Sequence, residues 1–101
     1  HISMFNFLVF ISSILFLYFE FPEKFTTNLR DSGKFLQLGL SISTQYDGSV
    51  LENVKTHSQA LRSEVLSVMG SFTVTDIQTK SGRDVLTKDI MEAINARLIL
   101  L

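Results

Sequence analysis

The sequence predicts an α+β domain: a small antiparallel sheet packed against two long amphipathic helices, preceded by an apolar segment. Three observations carry this. Leu36, Leu38, Leu40 and Ile42 recur at period two, the spacing of a half-buried strand. Leu86, Ile90, Ile94 and Leu98 recur every four residues, the spacing of one helix face. The two patterns follow one another instead of alternating, which separates strands from helices along the chain.

With 101 residues and a mass of 11.4 kDa, the chain suffices for one domain. His1 to Met4 read as a tag remnant ahead of a natural start at Met4. Phe5 to Phe19, FNFLVFISSILFLYF, holds twelve apolar residues out of fifteen and no charge. Extended from Ile2 to Phe21 as a helix, it would measure roughly 30 Å, enough to cross a bilayer core. The competing reading is a strand, because Leu15, Leu17, Phe19 and Phe21 also alternate onto one face. Residues 5–21 are therefore an anchor or a packing segment, and residues 22–101 are the domain. Lys24, Arg30 and Lys34 follow the apolar run and nothing basic precedes it. That distribution favours a cytoplasmic domain if the run spans a membrane.

Pro22 cannot donate to a ladder, so a strand begins after it or runs at an edge. Phe25 to Leu29 and Gly33 to Thr44 are joined by Asp31-Ser32-Gly33, residues suited to a turn, and form an antiparallel pair. Ser49 and Glu52 have capping-box spacing. They open a helix whose stripe is Val50, Val54, Leu61, Val65 and Val68, with Leu51, Ser58 and Met69 beside it. Gly70 closes it as a C-terminal cap. Thr73 and Asp76 signal one further helical turn. Ser81 to Asp84 open the last helix in the same way, with Val85, Ala93 and Arg97 flanking its stripe. Asp84–Lys88 and Lys88–Glu92 are solvent-face pairs.

The chemistry is sparse. Nine basic and ten acidic residues leave a net charge of -1, which offers no excess for phosphates, and no nucleic-acid partner is expected. The chain has no cysteine, which removes disulfides and thiolate chemistry. Its five glycines are isolated, and neither a GxSxG nor an HExxH sequence occurs. No catalytic residue, cofactor site, metal site or small-molecule substrate is expected. His57 falls beside an apolar stripe and reads as a half-buried structural histidine. Glu52 and Glu64 lie too far apart to act as a carboxylate pair. A small enzyme with an unrecognised site is the least favoured reading.

From about Phe19 onward the chain resembles the flagellar basal-body-associated FliL family. The resemblance rests on Phe25-Thr26-Thr27-Asn28-Leu29 with its Asp-Ser-Gly turn, the strand Lys34 to Ile42 and the helical Leu61-Arg62-Ser63-Glu64-Val65-Leu66. Its strongest part is Thr73-x-x-Asp76-Ile77-x-Thr79-x-x-Gly82-Arg83, followed by Leu86 and Ile90 to Leu98. The resemblance implies a non-enzymatic, single-pass inner-membrane protein with a periplasmic, stomatin-like domain. It also implies rings of this chain beside the motor's stator proteins, modulating motility and swarming. The alternative is a membrane-anchored stomatin-like scaffold with no flagellar role. Closing a ring needs a head-to-tail interface. The expected surface is the first strand, at Phe25 and Asn28, with the helix flank at His57, Arg62 and Glu64. Family members usually continue into a further strand, whereas this sequence ends at Leu98-Ile99-Leu100-Leu101. Either the C-terminus is trimmed or disordered there, or another chain completes the sheet.

Overall fold

The computed structural model describes residues 2–3, 17–44 and 48–100. Strands β1 (Ile2–Ser3), β2 (Leu17–Glu20), β3 (Phe25–Asn28), β4 (Phe35–Gly39) and β5 (Ser41–Thr44) precede the helices. These are α1 (Gly48–Thr56), α2 (Ser58–Gly70), α3 (Val74–Ile77) and α4 (Lys80–Leu100). The α+β order expected from the sequence is the one observed.

The expected antiparallel pair is present and extends further than Phe25. β3 pairs with β4, and β2 pairs with β5, both antiparallel. Together they form one long hairpin with an irregular middle. Glu20 sits opposite Ser41 and Phe25 opposite Leu38. Four residues on the first arm, Phe21 to Lys24, thus face only Gly39 and Leu40 on the second. The surplus is a wide bulge centred on Pro22, the residue that has no N–H to give. Phe21 still donates to the Leu40 carbonyl at 3.0 Å, which holds the two halves in line. At the far end, Leu29 donates to the Lys34 carbonyl at 2.8 Å. Asp31 takes φ of 60°, a conformation its short polar side chain tolerates, so the turn's positive φ falls on Asp31 and not on Gly33. β1 lies on the other side of β4, in parallel.

The strand reading of the apolar run holds for its end. Leu17 to Glu20 are strand, Phe21 is buried, and Phe19 packs against the core. A single helix from Ile2 to Phe21 is not what forms, since both described ends of that window are strand. Residues 4–16 lie outside the described residues. Among the described residues, no helix is long and apolar enough to cross a membrane.

The core joins Phe21, Phe25, Leu36, Leu38 and Leu40 of the hairpin to Val54, Leu61, Val65 and Met69, and to Leu86, Ile90 and Ile94 of α4. The helix expected over Val50 to Gly70 is broken at His57, whose φ and ψ of -109° and 24° leave the helical region. Within α2 the buried stripe runs Leu61, Val65, Met69 at intervals of four, so that Met69 is buried and Val68 only partly so. α1 begins at Gly48, which places Ser49 inside the first turn and not at the N-cap. Glu52 pairs with Lys55 at 3.9 Å. Gly70 does not cap with positive φ. Instead Ser71 closes α2, its N–H and hydroxyl both donating to the Val68 carbonyl.

The capping signal at Thr73 holds in full. The Thr73 N–H donates to the Asp76 carboxylate at 2.9 Å, and the Asp76 N–H donates to the Thr73 hydroxyl at 3.1 Å. The start of α4 falls earlier than expected, and its capping oxygen is that of Thr79, which accepts from the Gly82 N–H at 3.0 Å. Asp84 pairs with Lys80 at 2.9 Å rather than with Lys88, while Lys88–Glu92 stands at 3.9 Å.

Gly82 is where α3 and α4 meet. A Cβ there would stand 1.6 Å from the Asp76 carbonyl oxygen, a backbone atom that cannot swing aside. Arg83 then donates to the Ile77 carbonyl at 3.1 Å. Gly82→Ala is expected to cost about 3 kcal/mol or more, at the upper end of overpacking penalties, read as a fall in the chemical-denaturation midpoint.

The Asp76 pKa is lowered, first by the Thr73 N–H bond, then by the Thr73 side chain, with Arg30 adding a weaker attraction. A depressed folded pKa contributes stability above the unfolded value of ~3.9 and loses it as pH falls through the folded value. Denaturation midpoints of Asp76→Asn and the parent chain should therefore differ most near neutral pH and converge in acid.

Candidate functional site

The candidate interface residues fall along one seam, where α2 lies against the bulge and β3. Phe19, Phe21 and Phe25 stack edge to face, with ring centroids 5.0 Å and 5.3 Å apart. The Arg62 guanidinium carbon stands 3.9 Å from the Phe25 ring centroid and 5.9 Å from that of Phe21. Its two terminal nitrogens donate to the backbone carbonyls of Glu23, at 2.7 Å, and Lys24, at 3.3 Å. One side chain thus covers the aromatic pair and satisfies two carbonyls that the bulge turned away from the ladder. A planar guanidinium can do both at once.

The same seam closes one edge of the sheet. Since Leu29 bonds to Lys34, the alternation of an antiparallel ladder points the backbone groups of Thr26 and Asn28 away from β4. α2 runs along that side. A Cβ on Gly70 would stand 3.8 Å from the Thr27 hydroxyl oxygen and 3.9 Å from the Asn28 carbonyl. The loop after α2 continues the closure, for the Arg30 N–H donates to the Phe72 carbonyl at 2.9 Å and its Nε to the Ser71 carbonyl at 3.0 Å. An edge that could invite foreign strands is covered by a helix of the same chain.

The five candidates consequently separate. Phe25 is fully buried and Arg62 braces the fold. Asn28 is exposed on the sheet face turned away from the helices, opposite Phe35 in the register. His57 is half-buried at the break between α1 and α2, and Glu64 is half-buried on α2. Arg62 and Glu64 are two residues apart and occupy different sides of the helix. Reversing the charges of Arg62 and Glu64 together would therefore disturb the seam as well as any surface on that flank. Spacing alone did not reveal the role of Arg62, because its partners are backbone carbonyls about 40 residues earlier in the chain.

Among the described residues, no group of three or more histidine, aspartate or glutamate side chains could hold a metal ion. Polar side chains serve the caps and turns and the seam, Gln37 donates to the Thr26 hydroxyl across the sheet at 3.1 Å, and Lys88 pairs with Glu92 on the face of α4. The fold and its seam define a small α+β domain braced by Arg62.

The chain belongs to FliL, the flagellar basal body-associated protein family, whose family model matches residues 18–100. The match starts within β2 and ends with α4, so it covers the hairpin and all four helices. No curated protein matches the chain. Membership makes this a structural protein associated with the flagellar basal body.

Arg62→Ala is expected to lower stability by about 2 kcal/mol, from two charge-assisted hydrogen bonds and the ring contact. Arg62→Lys should recover little of it, since an ammonium cannot lie flat on Phe25 while bridging two carbonyls. Thermal melts of the two variants beside the parent chain test this, and a lysine variant as stable as the parent would contradict it.

Proposed function

We propose that the protein is a scaffold of the flagellar motor that assembles with the stator units and modulates their activity, and through it motility and swarming. The observation that carries this is the family match, which coincides with the folded unit from β2 to α4. Work of this kind needs a rigid body with partner surfaces, and the seam supplies the rigidity.

The proposed location is the bacterial inner membrane, with the domain in the periplasm and the apolar run as anchor. The strand β2 takes back Leu17 to Glu20, so anchoring falls to the residues before it. Lys24, Arg30 and Lys34 weigh against an outside domain, and acidic Glu20, Glu23 and Asp31 are interleaved with them. Self-association is proposed to use the surfaces left accessible, Asn28 on the open sheet face and the α2 flank at His57 and Glu64.

The test is a clean deletion in the source bacterium, complemented by the full chain. Swarming should fall, and the number of fluorescently tagged stator units at each motor should change. An alkaline phosphatase domain fused after Leu101 should be active if the C-terminus is periplasmic. Unchanged swarming together with unchanged stator occupancy would remove the motor reading, and an inactive fusion would remove the periplasmic one.

A further inference from the structure

We draw no further inference here: the strongest candidate, the outward face of the β3–β4 pair where Phe35 stands 68% exposed beside exposed Thr26, Asn28 and Gln37, is an unpartnered surface patch, and nothing in the structure shows what covers it.

Discussion

The two surplus residues at Pro22 set where the rest of the molecule goes. A strand that reaches a proline in a ladder must lose a bond or leave the ladder. Here it leaves, and the excursion from Phe21 to Lys24 turns the carbonyls of Glu23 and Lys24 out of the sheet. Unbonded, they would burden the seam they border. Arg62 satisfies both, and it can do so only if α2 runs beside β3 at that height. The position of α2 then places Leu61, Val65 and Met69 over the hairpin and gives α4 a surface on which to pack. The aromatic stack of Phe19, Phe21 and Phe25 is the apolar half of the same arrangement.

The break at His57 belongs to this geometry. A straight helix from Gly48 to Gly70 would carry one stripe along one line. The chain must instead serve two surfaces, because α1 packs near β2 while α2 follows β3. Departure from helical φ and ψ at a single residue, with bonds maintained on either side from His57 to Asn53 and from Leu61 to His57, achieves the change of direction. His57 is half-buried because the corner is half-buried, and the geometry asks nothing chemical of its ring.

What was legible in the sequence is what depends on near neighbours. The alternation through Leu36 to Ile42, the turn at Asp31 to Gly33, the Thr73–Asp76 box and the α4 stripe all involve residues within a few positions of one another. The features that escaped depend on distant partners. The bulge needs the register of both arms, and no run of residues states that register. The Arg62 contact joins residues about 40 apart. Gly82 looked like part of a capping signal, but its lack of a side chain is used against the Asp76 backbone. Val68 and Met69 changed places because both spacings, three and four from Val65, fit a helix stripe, and only the packing of α2 against its neighbours chooses between them. The same limit governs the candidate site: Phe25 and Arg62 were expected on an assembly surface, whereas within the chain they are partners of each other.

This bears on how the family signature should be understood. The Thr73 to Arg83 stretch carried the strongest resemblance, and each of its marked residues has a structural duty. Thr73 and Asp76 cap α3, Thr79 caps α4, Gly82 admits the Asp76 carbonyl, and Arg83 returns to the Ile77 carbonyl. A sequence so constrained by close backbone contacts tolerates few substitutions, which suffices to make it a signature with no ligand involved.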